Sequence, residues 1–270
     1  IADFDNMQTM LLDVLEHKCK AHLKGADIVA AVPTDITEVE KKAFYDMFAK
    51  TKIKARSIFL CEKPLADALG MDLDITLPTG IMVVDIGADT TEMSVISLGG
   101  LVLSELLSFG GNRLDESIVT YIKRKYNLVI GNKTGKFLKE TIGSATNNIK
   151  DSKTVVGRDM VSGLPVEMEV TADVVYEGIK DDLDSIATSI KMMLEKVPPE
   201  LAKDIVHSGI YLSGGGSRMA DLAQYFNGLT NIKINIAENG DEAVVRGLNK
   251  VLTDEKYTKF GYSMKSRIFK

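Results

Sequence analysis

The sequence predicts an α/β fold, on three observations. The first third alternates apolar segments of helical and strand spacing. Three strands separated by very short turns follow, as in an antiparallel meander. Glycine-containing turns then close several apolar strands, at places where the backbone must bend sharply or approach a ligand.

The elements run in this order. Met7, Met10, Leu11, Val14 and Leu15 make one stripe, expected to be buried, of a helix from about Asp5 to Leu23. Ile28 to Val32, stopped by Pro33, is a short buried strand. Thr37 to Lys50 is a helix, with Thr37 and Glu40 at capping-box spacing. Ser57 to Cys61 is a second strand, and Pro64 to Leu69 a helix. Ile81 to Gly87, Thr91 to Ser97 and Leu101 to Ser108 form the meander, with Gly99-Gly100 as a tight turn. Gly110-Gly111 opens a helix from about Arg113 to Tyr126, basic at its end as the helix dipole favours. Thr134 to Thr141 is a short helix. Thr154 to Val170 reads as β with a turn at Gly163. Thr171 to Lys196 is a long helix ended by Pro198-Pro199. Gly209 to Ser213 is a strand running into Gly214-Gly215-Gly216. Ala220 to Phe226 is a helix, Ile232 to Ile236 a strand and Asp241 to Leu252 a helix.

Composition bounds the function. The chain's 270 residues can hold one large domain or two ordinary ones, and 45% hydrophobic residues supply a core. A net charge of −5 argues against a general nucleic-acid binder. Cys19 and Cys61 give neither a disulfide framework nor metal spacing, which suits a reducing cytoplasm. No apolar run approaches the roughly 18 residues of a membrane span. With no Trp and 6% aromatics, stacking on carbohydrate or nucleotide bases is disfavoured. His17, His22 and His207 have no partners at metal or triad spacing, and Asp181-Asp182-Leu183-Asp184 reads as a solvated helix face or part of a subunit contact. The first residue is Ile, and Ile1 to Asp5 flow straight into the helical pattern, so a fragment lacking its beginning is expected.

Three loops are candidates for chemistry. Asp85-Ile86-Gly87-Ala88-Asp89-Thr90-Thr91 lies between two strands. In one reading its backbone N–H groups face an anion, Asp85 holds a hydrated magnesium ion through water, and a Thr hydroxyl positions a water. In the other it is a hairpin with turn-forming Asp and Thr. Gly214-Gly215-Gly216, between a strand and a helix, reads as close approach to a nucleoside or phosphate, or as a plain strand-to-helix turn. Gly110-Gly111 before a helix poses the same choice.

Taken together, these loops resemble a known family. Val83-Val84-Asp85-Ile86-Gly87 with Thr90-Thr91-Glu92, Val95 to Gly100, Tyr121 to Tyr126, Ile142-Gly143-Ser144-Ala145, Pro198-Pro199-Glu200-Leu201 and Leu212-Ser213-Gly214-Gly215-Gly216 are similar to the bacterial actin homologues of the MreB family. The match runs in order over nearly all of residues 1–252. It implies the actin-like ATPase fold, with ribonuclease H-like duplicated domains around a cleft that holds ATP or ADP with Mg2+. The expected domains are 1–77 with 237–270, and 78–236 with an inserted subdomain at about 111–186. The first phosphate loop of the fold is expected to be missing. By the same resemblance, Asp85 to Thr91 is the second phosphate loop, contributing Asp85, Gly87, Ala88, Asp89, Thr90 and Thr91. Gly110 and Gly111 adjoin it. Ser213 to Ser217 is the adenosine loop, contributing Gly214, Gly215, Gly216 and Ser217, and Lys139 lies where the family contacts the nucleoside.

Two departures bear on catalysis. The family places a Glu just before the Pro of the segment matching Glu62-Lys63-Pro64, where it polarises the attacking water with the first Thr of the loop. Here that position is Lys63, 27 residues before Thr90 in the family register. Ala88 and Asp89 also replace glycines, and a carboxylate ~4 Å from a phosphate is worth roughly 1–4 kcal/mol of repulsion unless it turns away. Lys136 stands where the family often has an acid near the ribose.

The resemblance therefore implies a filament-forming cytoskeletal protein for cell shape or motility, with weak ATP hydrolysis or with another group such as Glu62 replacing the Glu. The expected partners are further copies of itself and paralogous actin-like proteins. The alternative is a sugar or acetate kinase of the same superfamily, which would need an acid as base for the substrate hydroxyl, and no such constellation stands apart from these loops. A chaperone-type ATPase would need a further substrate-binding domain. The last stretch carries Lys256, Lys259, Lys265, Arg267 and Lys270 interleaved with Tyr257, Phe260, Tyr262, Ile268 and Phe269. This suits an anionic membrane at the inner face of the cell, or a tail packed on its own subunit. The family's usual membrane loop, here near Lys20 to Lys24, offers only Leu23 as an apolar wedge.

Overall fold

The computed structural model describes residues 3–18, 24–51 and 54–264. Cys19, His22, Leu23, Lys265, Arg267, Ile268, Phe269 and Lys270, singled out above, lie outside the described residues. The chain divides into two compact units, residues 1–76 with 242–270 and residues 77–241.

In the first unit, α1 (Phe4–Asp13) starts at Asp3, whose carboxylate accepts the Asn6 N–H, and passes into one π-helical turn at Val14–Lys18. The expected buried stripe is not found: α1 has no buried residue, and Met7, Met10 and Val14 are exposed. Periodicity reports which face of a helix is apolar, not what covers it. β1 (Asp27–Val32) and β2 (Ser57–Glu62) pair in parallel from Asp27↔Ser57 to Val32↔Glu62. Between them α2 (Glu38–Ala49) begins with the expected capping box. The Thr37 hydroxyl accepts the Glu40 N–H and the Glu40 carboxylate accepts the Thr37 N–H. Val32, Tyr45, Ile58, Leu60 and Met264 form the core here.

The tail joins that core. Tyr262 exchanges backbone hydrogen bonds with Leu60, Met264 is buried, and Lys256 reaches Asp74. Residues 256–264 thus follow the self-packed alternative. The one described free cysteine, Cys61, is fully buried, and burial pushes its thiol up to about 12.

α3 (Lys63–Gly70) and α9 (Ala243–Thr253) cross at two glycines. A Cβ on Gly70 would overlap the Ala243 carbonyl, and one on Gly247 would overlap the Ala66 carbonyl. The two backbones therefore touch directly.

The second unit is built on a five-stranded sheet in the order β10-β9-β3-β4-β5. β3 (Ile81–Ile86), β4 (Thr91–Ser97) and β5 (Gly100–Leu107) form the expected antiparallel meander. β9 (Ile210–Ser213) and β10 (Ile234–Ile236) extend it in parallel on the other side of β3. The turn between β4 and β5 is made by Leu98 and Gly99, one residue earlier than expected, at φ 52° and 72°. That is the backbone of a type I′ hairpin.

Helices α4 (Gly111–Tyr126), α5 (Asn132–Ile142) and α6 (Ala172–Lys196) pack with a small sheet, β6 (Leu128–Val129), β7 (Ser152–Asp159) and β8 (Pro165–Thr171). The two-residue β6 is too short to leave a period in the sequence. Gly163, at φ +71°, turns the β7–β8 hairpin. α7 (Pro199–Ser208) was not anticipated. Pro198-Pro199 reads as a stop for α6, but Pro is equally suited to the first turn of a helix, where no N–H is needed. α8 (Leu222–Thr230) precedes β10. The acidic run on α6 is not simply solvated: Asp182 accepts from the Ser117 hydroxyl of α4, and Asp184 from the Tyr225 hydroxyl of α8.

The α3–α9 contact makes a sharp expectation. Gly247→Ala forces two backbones apart and destabilises the first unit by about 3 kcal/mol, read as a lower urea midpoint. Ala at the open Gly228, with nothing within 4 Å of its Cβ position, has no such effect.

Candidate functional site

All six residues of β3 are buried, which fixes the strand end where the site begins. Gly87 follows. Its N–H donates to the Thr90 carbonyl at 2.9 Å and closes a tight turn into β4. The Thr91 hydroxyl donates to the Phe109 carbonyl at 3.0 Å, tying β4 to the turn that opens α4. Gly111 N–H donates to Gly87 O at 2.9 Å, and Asn112 N–H to Ala88 O at 2.8 Å. The loop and the start of α4 are thus one hydrogen-bonded piece. Gly110 is needed for this approach, since a Cβ there would collide with the Gly87 carbonyl.

The triple glycine divides by role. Gly214, at φ +77°, lies so close to β3 that a Cβ would collide with the Asp85 carboxylate and the Ile86 carbonyl. A Cβ on Gly216 would strike the Ile86 side chain. Gly215 has nothing within 4 Å of its Cβ position. Ser217 is buried and its hydroxyl donates to Gly214 O at 2.7 Å, holding the short 3-10 turn. Two glycines therefore let the chain lie on the strand end, and one leaves open room.

That room is a cavity of about 660 Å³, bounded by Gly87, Ala88, Gly111, Asn112, Asp115, Lys136, Lys139, Glu140, Gly143, Gly215, Gly216, Met219 and Ala220, among others. Of the residues expected at the site, Gly87, Ala88, Gly111, Lys139, Gly215 and Gly216 form its wall. Thr90 and Gly110 contact the wall residue Gly87, Gly214 and Ser217 flank Gly215-Gly216 along the chain, and Asp85 and Thr91 lie off the wall, against Gly214 and Phe109. Lys63 begins α3 in the other unit, behind Glu62 and before Pro64, at a helix end whose dipole favours anions.

Asp89 does not face this cavity. Its carboxylate accepts from the Asn112 amide at 2.8 Å and lines a separate cavity with Arg113, Glu116 and Asp182. The close repulsion expected from a carboxylate in the loop is relieved by that turn.

Sequence reasoning missed Asp115. It lies in the first turns of α4, 7% exposed in its side chain, 2.7 Å from the Lys139 ammonium. Lys139 also donates to Gly111 O at 2.6 Å. The helical spacing of Asp115 from Gly111 puts it on the same face as the glycine turn, a signal legible only once that turn is given a ligand. Among the described residues no group of three or more His, Cys, Asp or Glu could hold a metal ion.

The comparisons with known proteins bear on the family and the fold. Residues 1–259 match the family model described as MreB/Mbl protein. The chain is 35% identical over 256 residues to the cell shape-determining protein MreB of Escherichia coli (strain K12), covering 93% of this chain and 73% of that protein. It is 34% identical over 257 residues to the cell shape-determining protein Mbl of Bacillus subtilis (strain 168), covering 93% and 76%. MreB 5 of Spiroplasma citri, solved bound to AMPPNP, superposes with a TM-score of 0.89 at 32% identity, covering 96% of this chain and 77% of that one. The MamK double helical filament shares the fold, with a TM-score of 0.76 at 21% identity over 94% and 76%. Fold and relatives together define an actin-like cytoskeletal protein with the actin-like ATPase fold. The chain belongs to the MreB/Mbl family.

The Lys139–Asp115 pair can be tested alone. Removing one partner of a buried pair costs about 3–5 kcal/mol. Lys139→Met is expected to lower stability by that amount in chemical denaturation, and adding Asp115→Leu to recover much of it.

Proposed function

We propose that this protein binds ATP or ADP in the cavity of its second unit, assembles head to tail into filaments that support cell shape or motility, and hydrolyses ATP slowly. The observation that carries the nucleotide reading is the glycine-walled cavity at the end of β3, with Lys139 beside it. Two structures of MreB5 of Spiroplasma citri, bound to AMPPNP and to ADP, support it. Magnesium fits the donors available. Asp85, at the end of β3, would hold it through water, and the nucleotide phosphates would supply the other oxygens, as this ion prefers. Magnesium would neutralise phosphate charge, while Gly215 admits the ligand to the backbone.

Slow hydrolysis follows from Lys63. An ammonium donates hydrogen bonds and accepts none, so it cannot orient water as a base. Positioned base help is worth about 10²–10⁴-fold. Lys63→Glu is expected to raise phosphate release at least several-fold with ATP affinity little changed. Adding Asp89→Gly contributes little more, because that carboxylate is already turned onto Asn112. An unchanged rate in Lys63→Glu would show that position 63 does not set the chemistry.

For assembly, the second unit offers two apolar patches at the remote ends of the elements that meet at the loop. At the start of β3, Leu77 and Leu98 are 48% and 71% exposed and joined by a Leu98 N–H to Leu77 O bond. Beyond the end of α4, the β7–β8 tip exposes Met160, Val161 and Leu164, and Met160 N–H bonds Asn127 O. Joining the tip of one copy to the other patch of the next is a heterologous contact, which repeats without closing. Leu98 is telling, because a bulky side chain at φ 52° costs about 1–2 kcal/mol and here gains no burial. Leu98→Asn should leave the thermal midpoint equal or higher while reducing sedimentable filaments with ATP. Filaments as abundant as wild type would remove Leu98 from the contact.

Paralogous actin-like chains could use the same two patches. An anionic membrane as a further partner rests on the basic and apolar composition of 256–270, with Tyr262 and Met264 taken from that set by their own packing.

A further inference from the structure

One side of the cavity is made by two segments far apart in sequence, Ile142-Gly143 at the end of α5 and Met219-Ala220 before α8. They are stitched together just behind the wall. Ala145 N–H donates to Ala220 O at 2.9 Å, and Ser144 and Ala220 form an isolated parallel bridge. Beside it, the Ser144 and Thr146 hydroxyls both donate to the same Oδ2 of Asp221, at 2.9 and 2.7 Å. Ser144 is fully buried, and its oxygen also accepts the Thr146 N–H at 3.1 Å.

Asp221 is an odd residue for its place. It is the N-cap of α8, yet its side chain makes no capping bond to that helix. Its backbone is at φ 59°, in the left-handed region that favours glycine. A carboxylate suited to capping instead crosses to the other segment, from a strained backbone. Strain of this kind persists where surrounding contacts fix it, and it concentrates at ligand sites.

We propose that Asp221 is a positioning residue for the nucleoside half of the bound nucleotide. It holds 142–143 and 219–220 at the separation that the nucleoside occupies. The inference rests on the cavity being the nucleotide site. Asp221 touches no ligand itself; it acts through the two wall segments. Because ATP and ADP share the nucleoside and differ only in phosphates, its loss must weaken both equally.

The test is calorimetric titration of the full-length protein with MgATP and MgADP, alongside thermal unfolding. Asp221→Asn keeps an oxygen acceptor and a residue tolerated in the left-handed region, so both affinities stay within about twofold. Asp221→Gly relieves the backbone but removes the acceptor. Both affinities then fall by about tenfold, with little change in the thermal midpoint. Ser144→Ala with Thr146→Val removes the donors from the opposite side and gives the same paired loss. Asp221→Gly binding both nucleotides like wild type would overturn the proposal and leave the nucleotide site standing. So would a loss confined to ATP. A wild-type protein that binds neither nucleotide would overturn both readings.

Discussion

The end of β3 is buried and held by backbone contacts, and the site is assembled against it. Ile81 to Ile86 are buried on both faces, between β9 on one side and β4 on the other. Gly87 leaves this strand with its N–H and C=O both used, one by Thr90 and one by Gly111. Gly214 and Gly216 lie against Asp85 and Ile86 with no room for a side chain. Three chain segments thus converge on one strand end by direct backbone contact. A backbone held by backbone cannot relax as a side chain would, so the cavity beside it keeps its shape.

Charge is arranged around that frame with the same economy. Lys139 and Asp115 are both largely buried and depend on each other, since either alone would be an uncompensated charge. Their pairing also leaves Lys139 bonded to Gly111 O, so the ammonium is fixed beside the loop rather than swinging into it. Asp89 is turned onto Asn112, away from this cavity. A loop with an acid in place of glycine is thereby compatible with an anionic ligand nearby. Lys63 stands at the start of α3, where the helix dipole favours an anion.

Most strands and helices were legible because their signals are local. Apolar runs and short turns gave β3, β4 and β5; Thr37 with Glu40 gave the start of α2; Gly163 gave the β7–β8 turn. The misses share a cause. Pro199 ends one helix and begins another, and only the packing of α7 separates the two meanings. The stripe on α1 was real as a pattern but has no buried residue. Asp182 and Asp184 look like solvated charges until α4 and α8 bring hydroxyls to them. At the site, the glycines identified the loops, but not which of them face the cavity.

The sequence alone determined the element types, the family and the residue kinds at the loops, because periodicity, caps and turns depend on neighbours a few positions away. Only the tertiary structure decided that Gly214 and Gly216 pack on the end of β3 while Gly215 faces open space. The same holds for the pairing of Asp115 with Lys139 and of Asp221 with Ser144 and Thr146. These pairs join residues 24, 77 and 75 positions apart. No local rule links such residues; the sheet and the helices packed on it set their distances.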